Sequence, residues 1–420
     1  MGDLETTTSS ISRKEAAHQV YKGKLLSRKV CFQRRAFSDN GYMSALHELK
    51  KHFQSENNSQ RILKCYHIEK VSDFIYVSFE PWKCTLGQAL RFASTQGNKR
   101  EGLLPNQVNF LQKNFGNSSV FWQAGEPTPL PVSFVKDMLL SLSDLHRCGI
   151  LHRNLDEESF FIVKNPDHPN QNGFILKLGN MRLAKSTGDR DVVGEPNFSA
   201  PELSDRTRHE GPTNDVYLLG LIIGYALCGG KPLYLQPMQK GSLRHTLEAT
   251  SLFKQFPEIS ALVKSLLRVS YSERCSASSA FSHVFFWSNE KKVSFLHFCS
   301  SEMSCYSSYD QWIWKPMLTS MKNIVPNGYW IDKLVPTLQA DIGKNNPYSD
   351  LSSLPNLVRI IKNYLVHYKD NEATIKTTIG HFPETILSYF ITVFPMLIPE
   401  LRFLISGRLK HIGVFLPYLQ

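Results

Sequence analysis

The chain has 420 residues, of which 42% are hydrophobic and 11% aromatic, so it is long and apolar enough to bury more than one core. Charged residues make up 20%, a content that excludes an intrinsically disordered chain. The net charge of +11 suits RNA or an acidic membrane surface as a partner, but it does not by itself indicate either.

The eight cysteines occur singly, without a CxxC pair or the spacing of a zinc site, and this is typical of a reduced, intracellular protein. The two most apolar stretches, 216–230 and 386–399, are both shorter than the ~20 residues that a membrane-spanning helix needs. The sequence therefore predicts no transmembrane segment.

The N-terminal part reads as a disordered segment followed by strands. Residues 1–15 are predicted to be disordered, 19–35 to form two short strands, 42–53 a helix, and 74–79 a further strand. Residues 94–131 are rich in Gly, Asn, Gln, Ser and Pro, which predicts a long polar insertion with a few stray aromatic residues. Helical periodicity dominates after this insertion.

Several motifs in the middle of the chain resemble those of the protein kinase family, in order and at consistent spacing. Residues 149–159 (GILHRNLDEES) resemble the catalytic loop, and 178–183 (LGNMRL) lie where the D-F-G segment is expected. Residues 200–202 are an intact A-P-E motif, and Arg274 lies where the family's late arginine pairs with the A-P-E glutamate. The resemblance implies a bilobal kinase-like domain over residues 16–287.

The positions that carry kinase chemistry hold residues that are unable to perform it. Phosphoryl transfer depends on positioning and neutralising the charges of Mg-ATP. Gln33 replaces the strand lysine, and Glu48 is the residue expected at the helix position that pairs with it. Asn154 replaces the catalytic aspartate, Ser159 a metal-binding asparagine, and Asn180 the D-F-G aspartate. We therefore expect a pseudokinase, with a cleft that is either filled by side chains or holds a metal-free nucleotide.

Four blocks behind this domain resemble the kinase-extension nuclease (KEN) domain. This domain is shared by the inositol-requiring enzyme, which is the kinase/endoribonuclease of the unfolded protein response, and by the 2-5A-dependent ribonuclease. The blocks cover residues 283–300, 330–343, 350–368 and 379–398, and their overall sequence pattern resembles that of the plant branch of the family. The resemblance implies an all-α ribonuclease domain over residues 288–420, and hence an α+β chain in which it follows the kinase-like domain.

Helical periodicity indicates one face of the segment 356–368 as the candidate site. Arg359, Asn363 and His367 are successive i, i+4 neighbours and fall opposite, or at the edge of, an apolar stripe. The stripe consists of Leu357, Ile360, Ile361, Tyr364, Leu365 and Tyr368.

The family resemblance assigns roles to this face. It implies His367 as the general acid and Tyr348 as the base or its partner, with Asn363 and Lys362 holding the scissile phosphate and Arg359 contacting RNA. Lys362 departs from the family, which has arginine there, so that a bidentate grip on the phosphate is lost. No carboxylate cluster for a catalytic metal pair is apparent, and no metal or cofactor is predicted to be required.

Two functions follow as hypotheses. The first is a metal-independent endoribonuclease that cleaves RNA through 2′-hydroxyl attack and is regulated by homodimerisation through the dead kinase domain. The second is a non-catalytic regulator that forms a heterodimer with an active kinase/endoribonuclease relative in the unfolded protein response. The predicted location is the cytoplasm, or the surface of the endoplasmic reticulum membrane where a partner holds the chain.

Overall fold

The chain forms two compact units in the structure, which is a computed structural model. One comprises Met1–Leu252 with Val263–Phe281, and the other Phe253–Leu262 with Ser282–Gln420. The structure describes residues 4–11, 19–25, 28–36, 47, 60–95, 97, 103, 105–123, 126–164, 173–181, 183–187, 200–204, 211–228, 256–306, 309–344, 350–368, 373–380 and 384–419.

A five-stranded antiparallel sheet forms the first part of the first unit, in the order β1-β2-β3-β5-β4. Its strands are β1 Leu4–Ile11, β2 Gln19–Leu25, β3 Arg28–Ala36, β4 Cys65–Val71 and β5 Phe74–Phe79. The predicted strands at 19–35 and 74–79 are confirmed. The predicted helix at 42–53 lies outside the described residues, apart from His47, which is helical.

The prediction that residues 1–15 are disordered is wrong for Leu4–Ile11. This segment pairs antiparallel with β2, with Thr6 opposite Gly23. Its threonines and its terminal isoleucine are β-branched residues that suit a strand, and β2 supplies hydrogen-bonding partners for its backbone. Pairing with the edge of β2 therefore orders Leu4–Ile11, a segment whose sequence by itself gives no clear strand signal.

The remainder of the first unit is largely helical, with short strands. The helices are α1 Leu86–Ser94, α2 Pro105–Phe115, α3 Pro129–Arg147, α4 Pro212–Leu227 and α6 Ala277–Phe281, while α5 Pro257–Leu266 is divided between the units. The strands are β6 Cys84–Thr85, β7 Trp122–Gln123, β8 Glu126–Pro127, β9 Ile150–Leu151, β10 Phe160–Lys164, β11 Phe174–Leu178 and β12 Lys185–Ser186.

The interpretation of the aromatic residues in 94–131 as stray is also wrong, because they build a local core, whereas the assignment of this segment as an insertion stays a prediction. Phe115 at the end of α2 and Phe121 are fully buried, with their ring centroids 5.3 Å apart. Phe121 also lies 6.4 Å from Phe134 of α3, and Phe115 lies 5.7 Å from Phe174 of β11. Residues separated in the sequence thus bury aromatic rings that appear isolated when the composition alone is considered.

The described residues of the second unit form helices and no strands. Its helices are α7 Asn289–Met303, α8 Gln311–Ile324, α9 Pro336–Lys344, α10 Leu354–Val366, α11 Ala373–Ile379, α12 Glu384–Val393, α13 Leu397–Leu404 and α14 Leu416–Leu419. Phe295, Trp330, Phe390 and Phe394 are among the buried residues of their common core. The predicted fold class, a kinase-like α+β domain followed by an all-α domain, is confirmed.

Among the described residues, no single helix is long and apolar enough to cross a membrane. The segments Thr385–Val393 and Leu397–Leu409 meet the criteria of length and composition only as a pair, which is bent by 81°.

Candidate functional site

The remnant catalytic loop of the first unit is held by a buried carboxylate. Asp215 of α4 accepts hydrogen bonds from the backbone N–H groups of His152 and Arg153, at 2.8 and 2.7 Å, and lies 3.0 Å from His146 Nε2. Burial acts to raise the pKa of Asp215, but its hydrogen bonds to His146 and His152 outweigh this and hold that pKa below its ordinary value. Burial lowers the pKa of His152. The framework of the loop is therefore intact.

Ser159, which replaces the metal-binding asparagine, is hydrogen-bonded within its own turn. Ser159 Oγ donates to Asp156 Oδ1 at 2.7 Å, and the backbone N–H of Asp156 donates to Ser159 Oγ at 3.2 Å. Asn154 is only 8% exposed, and Ser159 is fully buried. The N–H of Gly179 donates to Ser159 O at 2.9 Å, which brings Asn180 next to this turn. The sequence analysis did not single out Asp156, which forms two of these hydrogen bonds.

Of the other two degenerate positions, only Gln33 lies among the described residues. Gln33 lies within the sheet on β3, paired with Val20 of β2 and Val77 of β5. Glu48 lies outside the described residues. Asn180 adopts a left-handed backbone conformation, with φ of 56°.

Aromatic side chains pack beside the loop. The ring of Phe161, which is only 5% exposed, lies 4.9 Å from that of Trp82, centroid to centroid. A Cβ atom at Gly179 would lie 2.7 Å from Phe161 Cε2, so the ring sits directly against the backbone that precedes Asn180. Side chains thus fill the space around Gly179.

The predicted partnership of Arg274 with the A-P-E glutamate is confirmed. Arg274 Nη1 and Nη2 donate to Glu202 Oε1 and Oε2 at 2.6 and 3.0 Å, in a bidentate pair with side chains 0% and 4% exposed. Asn214 Nδ2 also donates to Glu202 Oε1, at 2.7 Å. These additional donors compensate the desolvation of the buried ions.

In the second unit, α10 carries the candidate nuclease residues. Five of the six residues of the predicted apolar stripe are at most 6% exposed, which confirms the stripe within the helix, whereas Tyr368 lies beyond the helix end and is only partly buried. Val358, outside that stripe, is also fully buried, so more than one neighbouring helix covers α10. Pro355 lies in the first turn, where a missing N–H costs no intrahelical hydrogen bond.

The opposite face of α10 is accessible to solvent. Arg359 and His367 are exposed, while Lys362 and Asn363 are partly exposed. His367 directly follows the helix, and its backbone N–H donates to Asn363 O at 2.9 Å, so the last turn sets the position of its side chain. Val366 is 52% exposed. Tyr348 lies outside the described residues, and its role stays a prediction.

One polar contact of α10 was missed by the sequence analysis. Tyr364, assigned only to the apolar stripe, donates its hydroxyl to Asp341 Oδ2 of α9 at 2.6 Å. A tyrosine within an apolar stripe is itself a signal, because a buried tyrosine hydroxyl usually finds a partner. The identity of that partner was not apparent from periodicity. Across the described ranges, no group of three or more His, Cys, Asp and Glu side chains is placed to hold a metal ion.

Comparison with known families agrees with this two-part architecture. The protein kinase domain model matches residues 11–286, and the Ribonuclease 2-5A model matches residues 292–419. The kinase match alone spans more than half of the chain. The chain therefore belongs to the protein kinase family, with a ribonuclease 2-5A domain behind its kinase domain, and the predicted resemblance is confirmed.

Similar individual proteins are plant kinase/endoribonucleases. The serine/threonine-protein kinase/endoribonuclease IRE1a of Arabidopsis thaliana is 26% identical over 442 residues, covering 100% of this chain and 51% of the relative. The corresponding IRE1 of Oryza sativa subsp. japonica is 25% identical over 435 residues, covering 100% and 45%. An inactive serine/threonine-protein kinase/endoribonuclease IRE1-like protein of Arabidopsis thaliana is 26% identical over 405 residues, covering 89% and 70%. The chain spans about half the length of the first two relatives.

Proposed function

We propose that the chain is an endoribonuclease with a kinase-like domain that transfers no phosphate. The observation that carries this proposal is the accessible row of Arg359, Asn363 and His367 on α10, within the region that matches the ribonuclease 2-5A family. A row of this kind on a helix whose other face is buried offers an acid, a neutral hydrogen-bond donor and a cation to one ligand. Together with a base for the 2′-hydroxyl, these are the groups that cleavage of RNA without a metal requires.

The reaction assigns one task to each side chain. Tyr348 takes the proton of the 2′-hydroxyl as its oxygen attacks the adjacent phosphorus. His367 protonates the 5′-oxygen as the bond between phosphorus and that oxygen breaks. Asn363 and Lys362 stabilise the negative charge on the phosphorane. The products are a 2′,3′-cyclic phosphate and a free 5′-hydroxyl.

An unpaired RNA loop is the substrate class that suits this site. The candidate residues lie on a convex helix face, and sequence-specific RNA recognition mostly targets unstacked bases in loops. Arg359, exposed two turns before His367, would contact the backbone that flanks the cleaved bond.

The test is RNA cleavage in EDTA. Purified protein is incubated with one stem-loop RNA, wild type beside His367→Ala, and the ends of the products are identified. We expect cleavage by wild type to a 2′,3′-cyclic phosphate, and none by His367→Ala. His411→Ala, which removes another exposed histidine of the same unit, is the matched control and should cleave like wild type. Cleavage abolished by EDTA and restored by Mg²⁺ would contradict the mechanism.

The kinase-like domain is proposed to act as a dimerisation platform. Asp156 and Ser159 hydrogen-bond to each other, and Phe161 packs against Gly179, so the arrangement favours structure over phosphate chemistry. We propose no required cofactor, and a metal-free nucleotide as the ligand if one binds. The proposed location is the cytoplasm, or the endoplasmic reticulum membrane surface when a partner relative is present.

A non-catalytic regulator is the second candidate function. Lys362, where the family has arginine, and the similarity to a relative named inactive favour it. A regulator would leave RNA intact both as wild type and as His367→Ala, but would change the cleavage rate of an active kinase/endoribonuclease relative when the two are mixed. Analytical ultracentrifugation of the mixture would then show a heterodimer.

A further inference from the structure

We propose that Tyr364 and Asp341 form a positioning pair that fixes the last turn of α10, and with it the direction of His367 and Asn363. This inference rests on the proposed endoribonuclease function. It concerns a partly buried contact on the apolar side of α10, opposite the face that carries the proposed site residues.

The contact is short, and its tyrosine is buried while Asp341 is partly buried. Tyr364 is 6% exposed, and its hydroxyl donates to Asp341 Oδ2 at 2.6 Å. Its ring lies 6.0 Å from that of the fully buried Phe390 of α12, centroid to centroid. A hydrogen bond to a carboxylate is about twice as strong as one between neutral groups. The contact therefore ties α10 to α9 by more than apolar packing.

The position of Tyr364 in the helix gives the contact its significance. Tyr364 lies in the final turn, directly after Asn363 and three residues before His367. The ends of helices fray because their last carbonyls have no intrahelical partners. A group held at Tyr364 limits fraying and rotation at the place where both proposed site residues project.

A second anchor lies on the other side of His367. Lys376 Nζ of α11 lies 5.3 Å from the centroid of the Tyr368 ring. His367 is thus preceded by a tyrosine tied to α9 and followed by one in contact with a cation of α11. Apolar packing has no preferred direction. The hydrogen bond of Tyr364 and the cation contact of Tyr368 are directional, so together they define one position for the turn that carries His367.

The test compares two tyrosines that are equally buried. Tyr364→Phe removes only the hydroxyl, and Tyr418→Phe is the matched control: Tyr418 is also 6% exposed, and its ring packs against another core ring of the same unit, 5.1 Å from that of Phe295. We expect Tyr364→Phe to lower kcat about tenfold with KM changed less than about twofold, since displacement of a catalytic group by ~1 Å has large effects on the chemical step. Tyr418→Phe should retain both constants.

Substitution of Asp341 separates the hydrogen bond from packing. Asp341→Asn keeps an acceptor oxygen for the tyrosine and should retain most of kcat, while Asp341→Ala should lose as much as Tyr364→Phe. If Asp341→Ala and Tyr364→Phe both cleave like wild type, the positioning role is refuted. Equal losses in Tyr364→Phe and Tyr418→Phe would refute it as well, because they would reflect a general loss of stability.

Amide hydrogen exchange tests the pair without RNA. In Tyr364→Phe the amides of residues 364–368 should exchange about tenfold faster than in wild type, and in Tyr418→Phe they should be unchanged. Exchange equal to wild type in Tyr364→Phe would overturn the inference. If wild type and His367→Ala are equally inert, the proposed function fails, while the exchange measurement still decides whether Tyr364 fixes this turn.

Discussion

His283 makes the second unit sensitive to acid. It precedes the short helical turn Val284–Phe286, and its Nδ1 accepts the backbone N–H of Phe285 at 3.2 Å. Burial, together with the nearby positive charges of Arg402 and Lys292, lowers the pKa of His283 from its ordinary value of 6.5 to about 3. Protonation of Nδ1 would also remove the acceptor for Phe285.

The sign and size of the effect follow from these values. The folded chain keeps the imidazole neutral, whereas the unfolded chain takes up a proton below pH 6.5. The stability that depends on neutral His283 is fully present above pH 6.5 and is lost as the pH falls from there towards about 3. At pH ~5 the loss of unfolding free energy approaches about 2 kcal/mol, or about 1–2 kcal/mol when the partial exposure of the His283 ring is taken into account.

Urea unfolding of the full chain at pH ~7.5 and ~5 measures this loss. His283→Asn keeps an acceptor for the N–H of Phe285 but has no proton to gain, so it should lose about 1–2 kcal/mol less than wild type between the two pH values. Tryptophan fluorescence, to which Trp287 at the end of the turn contributes, follows the unfolding. His297→Asn, at an exposed position of α7, should show the pH dependence of wild type. Equal losses in wild type and His283→Asn would refute the reasoning.

Three further predictions concern the two functional regions. Lys362→Arg should raise the initial rate of RNA cleavage about tenfold, because the planar guanidinium of arginine binds two phosphate oxygens, and Lys362→Ala should abolish most of the cleavage. If Lys362→Ala cleaves like wild type, the phosphate contact is wrongly assigned. Glu202→Ala should destabilise the first unit by about 3–5 kcal/mol in urea unfolding, since the guanidinium of Arg274 stays buried without the carboxylate that pairs with it. A loss of stability below about 1 kcal/mol would contradict this prediction. Kinase activity is expected to be absent, so Mg-ATP should produce no magnesium-dependent rise in Tm. Phosphate transfer that Asn180→Ala abolishes would contradict this expectation.

The sequence by itself determined the features that depend on local spacing. The order of the kinase motifs predicted the first fold, including the pairing of Arg274 with Glu202, because each motif occupies a fixed place along the chain. Periodicity alone predicted which face of α10 is buried, since a helix turns by a constant angle per residue. The accessible row of Arg359, Asn363 and His367 followed from the same geometry.

Only the tertiary structure decided the features that depend on partners distant in the sequence. Leu4–Ile11 becomes a strand because β2 offers its edge, and Phe115 becomes a core residue because Phe121 and Phe174 meet it. Tyr364 finds Asp341 across 23 positions of the chain. Composition and periodicity describe how a residue relates to its neighbours along the chain, whereas burial and electrostatic interactions depend on which atoms surround it in space.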